Sequence, residues 1–318
     1  MSLFVTGGAG FIGRRVVTRL LERGDSVVCP VRDPGRADDL AASGAQLVKS
    51  DLSDPKLLAE QMRGCDAVIH IAGSYRVGIT VGERPAMWDA NVGATERVLD
   101  AASAAGVPRI VLVSTVNVFG NTRGAIVDET FKRDLGQGFL SWYDETKFRS
   151  HEAANERIAR GAPIVIVQPG GVYGPNDHSG AGAQIRLAYE GRLPYRALED
   201  LGLSWVHVDD LAAGIVAALE RGRVGEAYVM AGPSLRLGEA MALAARLGGR
   251  RLPALRIPTL FLRLMVPIGR LIGQPNLREV ISASDGVTYW VSSAKAEHEL
   301  GFKARNLETG LRDTFSVG

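Results

Sequence analysis

The sequence predicts an α/β fold built on a doubly wound parallel sheet, followed by a smaller C-terminal part. Short Val- and Ile-rich runs alternate with longer amphipathic segments through the first half of the chain. The short runs are apolar almost continuously, which is typical of strands buried on both faces. A glycine-rich turn, TGGAGFIG at residues 6–13, follows the first run. Alternating strand and helix signals give βαβ units with right-handed crossovers, so we expect helices on both faces of the sheet.

The apolar runs and the periodic segments between them set the order of the elements. The predicted strands are LFVT (3–6), SVVCPV (26–31), AQLVKS (45–50), DAVIHIA (66–72), RIVLVS (109–114) and PIVIVQ (163–168). The predicted helices between them cover residues 10–23, 36–43, 55–62, 85–105 and 143–160.

The pattern loosens after Gln168, where Gly and Pro cluster. A helix is predicted from Asp209 to Arg221 and a strand near residues 226–231. We therefore divide the chain into a nucleotide-binding domain, residues 1–168, and a mainly substrate-binding part, residues 169–318. Elements near residues 205–231 are expected to return to the first sheet.

Composition excludes several classes of protein. The chain has 318 residues, 46% of them hydrophobic and 23% charged, and a formal net charge of +2. These values are ordinary for globular domains, so disorder and coiled coil are excluded as the main state, and nothing favours nucleic-acid binding. Cys29 and Cys65 form no CxxC pair, and the five His residues lack metal-ligand spacing. We expect no disulfide framework, no metal site and a reducing cytoplasm.

Targeting and membrane segments are also not expected. The N-terminus lacks the basic and long apolar regions of a signal peptide. The most apolar stretch, from Leu255 to Gly273, is interrupted by arginines and prolines, so no integral membrane segment is predicted. Within it, residues 257–273 allow two interpretations: a lid or core helix of the C-terminal part, which we favour, or a helix lying on a membrane surface.

The glycine-rich turn predicts a dinucleotide-binding site. Glycines at these spacings allow a sharp turn, close approach of a pyrophosphate to the backbone, and tight packing of helix on strand. The helix that follows offers unpaired N–H groups and a positive dipole end to the phosphates. The residues expected to bind the cofactor here are Gly7, Gly10, Phe11, Ile12 and Gly13.

The end of the second strand indicates which cofactor is used. An acidic residue at this position suits the ribose 2′-hydroxyl of NAD, whereas a nearby Arg suits the 2′-phosphate of NADP. Here Arg32 follows Val31, Asp33 comes one residue too late, and Arg36 is close behind. The sequence therefore favours NADP(H) over NAD(H), with Arg32 and Arg36 as ligands.

Two further cofactor contacts are expected at the carboxyl ends of strands, where open α/β sheets bind ligands. Asp51 and Leu52 follow the third strand, and Ile71, Ala72 and Gly73 follow the fourth. Asp51 could accept a hydrogen bond from the adenine amino group. It could equally cap the next helix, and the two roles are compatible.

Tyr143 and Lys147 form the most specific constellation in the chain. Their i,i+4 spacing places them on one helix face. A neighbouring ammonium lowers the pKa of a tyrosine, so Tyr143 could exchange a proton with a carbonyl or carbinol oxygen. Lys147 could also hold the nicotinamide ribose, and Thr115, at the end of the fifth strand, offers a hydroxyl to the same oxygen.

These motifs resemble the extended short-chain dehydrogenase/reductase superfamily, which includes the NAD-dependent epimerases and dehydratases. The resemblance extends over nearly the whole chain, through TGGAGFIG (6–13), DL (51–52), HIAG (70–73), NVGAT (91–95), VSTVNVFG (113–120), YDETK (143–147), QPGGVYGP (168–175) and WVHVDDLAAG (205–214).

The resemblance implies roles for particular residues. Thr115, rather than Ser114, would join Tyr143 and Lys147 in the catalytic triad, with Tyr143 as the acid/base. The remaining implied roles are an ordering role in catalysis for Asn91 and contacts beside the nicotinamide for Pro169 and Val172. The family also commonly dimerises through two helices of each subunit, here those near residues 85–105 and 143–160, so we expect a homodimer.

Further details of the sequence indicate which branch of the superfamily the chain resembles. VRDPGR (31–36) and the C-terminal segment 287–314 resemble the dihydroflavonol-reductase-like branch. Nucleotide-sugar enzymes commonly carry an Arg where this chain has Leu203, and its loss removes a charge-assisted bond to a diphosphate. A mixed aromatic pocket for the substrate is suggested by Tyr75, Trp142, Tyr173, His178 and Trp205. The alternative for each of these residues is ordinary packing in the core or on the surface. The candidate substrate contacts are Tyr75, Thr115, Asn117, Trp142, Tyr173 and His178.

We therefore expect an NADP(H)-dependent oxidoreductase that transfers a hydride between the nicotinamide and a small carbonyl compound or secondary alcohol. Two alternatives remain. One is a sugar or nucleotide-sugar epimerase or dehydratase with a tightly held cofactor. The other is a non-catalytic dinucleotide sensor, which would not need Tyr143 as an acid/base.

Overall fold

The computed structural model describes residues 1–272 and 276–316. Side chains that lie outside the described part are those of Arg36, Arg270, Leu271 and Ile272. The strands are β1 (Ser2–Thr6), β2 (Ser26–Val31), β3 (Gln46–Lys49), β4 (Ala67–His70), β5 (Ile110–Val113), β6 (Ile164–Pro169), β7 (Gly171–Tyr173), β8 (Gly202–His207), β9 (Ala227–Met230), β10 (Ser234–Arg236) and β11 (Thr288–Tyr289).

The helices alternate with these strands in the first half of the chain and dominate the second. They are α1 (Phe11–Glu22), α2 (Asp38–Ala42), α3 (Pro55–Met62), α4 (Arg84–Trp88), α5 (Ala94–Ala104), α6 (Trp142–Ala159), α7 (Gly180–Glu190), α8 (Val208–Arg221), α9 (Leu237–Leu247), α10 (Thr259–Leu264), α11 (Leu277–Ser282), α12 (Ala294–Leu300) and α13 (Leu307–Ser316).

The main sheet has the strand order β3-β2-β1-β4-β5-β6-β9, and every neighbouring pair is parallel. This confirms the predicted doubly wound parallel sheet. The order reverses between β1 and β4, so a crevice opens there at the carboxyl ends of the strands. Open sheets of this kind bind dinucleotides at that crevice.

Both faces of the sheet are covered, which explains why its strands read as continuous apolar runs. Leu3 and Val5 point to one face, where they pack in a cluster with Val17 under α1 and α8. Phe4 points to the other face and packs with Leu99 under α3 and α5. Alternate residues of one strand therefore belong to two separate cores.

The predicted long helix near residues 85–105 is confirmed, with a π-helical turn in its middle. The chain forms α4, then a π-helical turn from Asp89 to Gly93, then α5. Such a turn inserts one residue into the helical ladder and is frequent at functional sites. Asn91 lies within it and is buried.

The C-terminal part contributes to both sheets. Helix α8 packs on α1, and β9 pairs with β6 at the edge of the main sheet. Strand β8 instead belongs to a second, smaller sheet with β7, β10 and β11. Behind this sheet, α7, α9 and α13 enclose a separate apolar cluster.

The apolar segment 257–273 does not form a core helix. It consists of α10 and a 3-10 turn, Val266–Ile272, because Pro258 and Pro267 limit the length of any helix. Leu260 and Leu264 on α10 are exposed, so the core-helix interpretation is wrong. Over the described residues, no helix combines the length and apolarity needed to cross a bilayer.

Candidate active site

The glycine-rich turn closes tightly between β1 and α1. Gly7 has a φ of +71°, and a Cβ there would lie 2.7 Å from the Ala72 nitrogen. A Cβ at Gly13 would overlap the Gly7 carbonyl oxygen, and the Gly10 N–H donates to that same oxygen at 2.9 Å. Only glycine fits at the first and last of these positions.

The start of α1 suits a phosphate group. Gly10 caps the helix with no side-chain hydrogen bond. The first-turn N–H groups of Phe11, Ile12 and Gly13 have no partner within the helix and carry its positive dipole end. The cradle of glycines and these donors therefore fit the pyrophosphate of a dinucleotide.

The end of β4 is tied to β1 beside this turn. The Ile71 N–H donates to the Thr6 carbonyl at 3.2 Å, and the Ala72 N–H donates to the Thr6 hydroxyl at 3.3 Å. Gly73 follows, and a Cβ there would lie 3.1 Å from the Asn91 side-chain oxygen. The three residues predicted after β4 therefore lie against the phosphate-binding turn and the π-helical turn.

A buried histidine, which our sequence reasoning did not single out, links these elements. His70 Nδ1 lies 2.6 Å from the Thr6 hydroxyl, and Nε2 lies 3.0 Å from the Thr95 hydroxyl. Thr95 donates to the Asn91 carbonyl, so Nε2 must donate to Thr95 and Nδ1 must accept from Thr6. Burial, with the Lys147 charge, lowers the pKa of His70 to about 3. The ring is therefore neutral at physiological pH.

The tip of β2 presents Arg32 to solvent at the same edge of the sheet. Asp33 is occupied by its own turn, where it accepts from the Gly35 N–H at 3.1 Å. It caps that turn and leaves Arg32 as the exposed charged side chain directly after the strand. The Arg36 side chain lies outside the described residues.

The end of β3 shows which aspartate caps the next helix. Asp54 caps α3 by accepting from the N–H groups of Lys56 and Leu57, at 2.9 and 3.2 Å. The capping role suggested for Asp51 is therefore wrong. Asp51 instead accepts from the Ser53 N–H at 3.0 Å, and its hydrogen bonds to Ser53 lower its pKa.

Leu52 has an unusual backbone conformation for a residue other than glycine. Its φ is +66°, and its carbonyl accepts from Arg97 Nε at 2.7 Å. Its N–H donates to the Ser50 hydroxyl at 3.2 Å. Strain of this kind persists where surrounding contacts hold the chain, and it is frequent at ligand-binding positions.

Tyr143 is buried at the start of α6, and the buried Thr115 lies close enough to affect its pKa. Burial raises the pKa of Tyr143, neighbouring Tyr75 raises it further, and the interaction with Thr115 opposes both effects. We expected Lys147 to depress the pKa of Tyr143, and that expectation is wrong, because the pKa is raised. The cost of desolvating a phenolate outweighs the opposing interactions.

Lys147 lies one turn further along α6 and is also buried. Its ammonium donates to the Val113 carbonyl at 3.4 Å. Burial lowers the pKa of Lys147 to about 8, so the group remains mostly charged at neutral pH. Ser114 turns away to His151, with 3.0 Å between Oγ and Nδ1, so Thr115 is the hydroxyl that faces Tyr143.

Asn91 connects the loop after β4 to α6. Its side chain accepts from the Ser74 N–H at 2.7 Å and donates to the Ser74 carbonyl at 3.0 Å. It also donates to the Thr146 hydroxyl, which donates in turn to the Tyr143 carbonyl. Asn91 therefore holds the backbone on both sides of the site. Tyr75, next in the loop, meets the Tyr143 ring edge-on, with 4.8 Å between centroids.

The first turn of α6 is fixed by two carboxylates from outside the predicted set. Asp144 is fully buried and pairs with both terminal nitrogens of Arg133, at 2.6 and 2.7 Å. Glu279 on α11 accepts from the Trp142 N–H at 2.6 Å. These partners are 11 and 137 residues away in sequence, so no local pattern marks them.

Of the remaining candidate substrate contacts, Asn117 lies close to Thr115, whereas Trp142 is engaged in packing. Asn117 accepts from the Thr115 hydroxyl at 3.0 Å and lies directly beside the triad. Trp142 donates from its ring to the Arg84 carbonyl and packs against Trp88. Its contacts are those of a packing residue at the entrance to α6.

Tyr173 is buried beneath α13, between Trp205 and His207. This position favours ordinary packing, rather than substrate contact, for Tyr173 and Trp205. His178 is exposed in the loop after β7. Pro169 ends β6, and Val172 is half-buried on β7 against the core under α1 and α8. In the part of the chain that the structure describes, no three His, Cys, Asp or Glu side chains form a metal-binding group.

A doubly wound sheet, a phosphate cradle and a Thr–Tyr–Lys triad together define an enzyme of the extended short-chain dehydrogenase/reductase type that uses a nicotinamide cofactor. The sequence profile of the NAD-dependent epimerase/dehydratase family matches residues 3–231. The chain belongs to this family.

Individual relatives are similar over nearly their whole length. The chain is 30% identical to the "Putative dihydroflavonol 4-reductase" of Synechocystis sp., covering 98% of this chain and 92% of that protein. It is 30% identical to the 4-hydroxy-2-methyl-3-oxo-4-farnesyl-3,4-dihydroquinoline-1-oxide ketoreductase of Stigmatella aurantiaca, covering 96% and 92%. The crystal structure of gox2253 superposes with a TM-score of 0.83 at 30% identity, covering 99% of this chain and 97% of that one.

Proposed function

We propose that this enzyme is an NADP(H)-dependent reductase that interconverts a carbonyl compound and the corresponding secondary alcohol. The observation that carries the proposal is that Tyr143 and Lys147 lie one helical turn apart on α6 and are both buried, as is Thr115. The bound nicotinamide would supply or accept the hydride. The protein's own residues must then bind, orient and protonate the substrate oxygen.

Tyr143 suits the role of the acid in reduction. Because burial raises its pKa, the hydroxyl holds its proton at neutral pH and can donate it to a carbonyl oxygen as negative charge develops there. Thr115 supplies a second hydroxyl to the same oxygen. The Lys147 ammonium stabilises the tyrosinate left after transfer, since it remains charged below a pKa of about 8.

An apolar residue stands where a nucleotide-sugar enzyme commonly carries a diphosphate-binding Arg. Leu203 lies on β8 and packs in the apolar clusters of the C-terminal part. An apolar side chain offers no charge-assisted bond to a diphosphate. This supports reduction of an uncharged carbonyl compound over epimerisation or dehydration of a nucleotide sugar. The reductase names of both relatives agree with that preference.

The preference for NADP(H) is supported by Arg32 at the tip of β2. It is exposed beside the glycine turn, and the neighbouring acid Asp33 is held in its own turn. A planar guanidinium matches the geometry of a 2′-phosphate. We also propose a cytoplasmic location, in keeping with Cys29 and Cys65, which are unpaired and buried.

Tyr143→Phe tests the assignment, because it removes one oxygen and leaves the ring packing unchanged. NADPH oxidation with a panel of ketones and aldehydes should fall by a factor on the order of 10² to 10⁴. Cofactor affinity should change little. Tyr195→Phe is the control, since it removes the same phenolic oxygen from an exposed tyrosine outside the candidate site, and it should retain the wild-type rate.

Two results would contradict the proposal. A fully active Tyr143→Phe enzyme would exclude Tyr143 as the acid. Failure of the wild type to oxidise free NADPH with any carbonyl, combined with turnover of a nucleotide sugar, would favour the epimerase or dehydratase alternative.

A further inference from the structure

The segment around α10 exposes a group of large apolar side chains. Leu260, Phe261 and Leu264 are 71%, 51% and 71% exposed, and their i, i+1, i+4 spacing places them together on one side of the helix. Leu255 before the helix and Ile268 after it are also exposed. We call these five residues the 255–268 surface. An exposed apolar cluster of this kind marks an interaction site rather than a packing element.

The charged side chains in the segment of the chain that contains this surface are all positive. Between Glu239 and Glu279 the sequence contains seven arginines and no acidic residue. Two of the arginines nearest the surface form ion pairs: Arg256 with Glu199 at 2.9 Å, and Arg263 with Asp285 at 2.9 Å.

Further arginines of this segment keep their charge available. Arg251 and Arg278 are exposed and make no ion pair among the described residues. Apolar side chains flanked by uncompensated cations match the two components of an anionic membrane surface, hydrocarbon and phosphate.

A series of contacts links the 255–268 surface to the candidate active site. Helix α10 packs on α11, and Asn276, which caps the start of α11, donates to the Ile79 carbonyl at 3.0 Å. Glu279 on α11 holds the Trp142 N–H, immediately before Tyr143. A partner bound at this surface would therefore lie on the element that braces the start of the catalytic helix.

We propose that the 255–268 surface docks on an anionic lipid bilayer. A second copy of the chain is the other possible occupant, but a two-fold interface would place this arginine-rich segment against its own copy. The unpaired charges of Arg251 and Arg278 would then be brought towards the same charges of the other copy. A lipid surface has the opposite charge and accepts the apolar side chains.

Sedimentation with lipid vesicles tests the proposal on the full chain. The wild type should bind phosphatidylcholine vesicles that contain phosphatidylglycerol, and the binding should weaken as salt is raised. Phe261→Ser with Leu264→Ser should weaken binding about tenfold or more, because two inserting side chains are lost. The matched control is Ile126→Ser with Val224→Ser, which removes two exposed apolar residues elsewhere and should bind like the wild type.

A second variant leaves α10 unchanged, so a loss of binding cannot be attributed to unfolding of that helix. Arg251→Glu with Arg278→Glu changes only exposed charges and should also weaken binding to the anionic vesicles. Absence of wild-type binding, or equal binding to vesicles of phosphatidylcholine alone, would overturn the proposal. So would a wild-type dimer that dissociates in the Phe261/Leu264 variant without any effect on vesicle binding, since that result assigns the surface to a second copy.

Discussion

Removal of the Arg133 guanidinium should destabilise the start of α6, the helix that carries Tyr143. Arg133 and Asp144 are 5% and 0% exposed, and two hydrogen bonds of 2.6 and 2.7 Å join them. The same guanidinium donates to the Asn117 carbonyl at 3.3 Å and to the Gly138 carbonyl at 2.9 Å. It therefore ties the loop before α6 to the residue next to Tyr143.

The magnitude follows from the burial of the pair. Arg133→Met leaves the Asp144 carboxylate in a desolvated position without its cation, which costs about 3–5 kcal/mol of unfolding free energy. The Leu140 N–H still donates to that carboxylate, at 2.9 Å, so part of its hydrogen bonding survives. Adding Asp144→Asn removes the buried charge while keeping an acceptor, and it should recover at least half of the loss.

Urea unfolding, followed by circular dichroism, measures these differences. Arg157→Met is the matched control, because Arg157 forms a similar two-bond pair with Asp100, whose side chain is largely exposed. We expect the control to lose about 1 kcal/mol or less. A loss in Arg133→Met no larger than that of the control, or a double variant less stable than Arg133→Met, would refute the reasoning.

Three further outcomes are expected. Arg32→Asp should reverse a wild-type preference for NADPH over NADH in cofactor fluorescence titrations, and equal wild-type affinities would contradict the assignment. The fold holds His70 in its neutral form and lowers its pKa to about 3. The free energy of unfolding should therefore fall by about 3 kcal/mol as the pH drops from about 6.5 to 4, and His70→Gln should reduce that fall. The same pH dependence in the variant and the wild type would exclude His70 as a major cause. The protein should sediment as a homodimer at micromolar concentration through α5 and α6, and a monomer would exclude that assembly.

The sequence by itself determined the sheet, the glycine-rich turn and the helix that carries Tyr143 and Lys147. Each depends on relations within a few residues: apolar runs that suit strands buried on both faces, glycines that alone can adopt the turn at Gly7, and the helical period that aligns Tyr143 with Lys147. Local conformation follows from such neighbours. These predictions therefore needed no knowledge of what the rest of the chain packs against.

The tertiary structure alone decided the protonation and the environment of these groups. The raised pKa of Tyr143 results from burial beneath elements distant in sequence, and the neutral state of His70 depends on Thr6 and Thr95, on other elements. The exposure of Leu260 likewise depends on what packs against α10. Desolvation and the pairing of buried polar groups are set by contacts across the fold, because they depend on which atoms exclude water from a site.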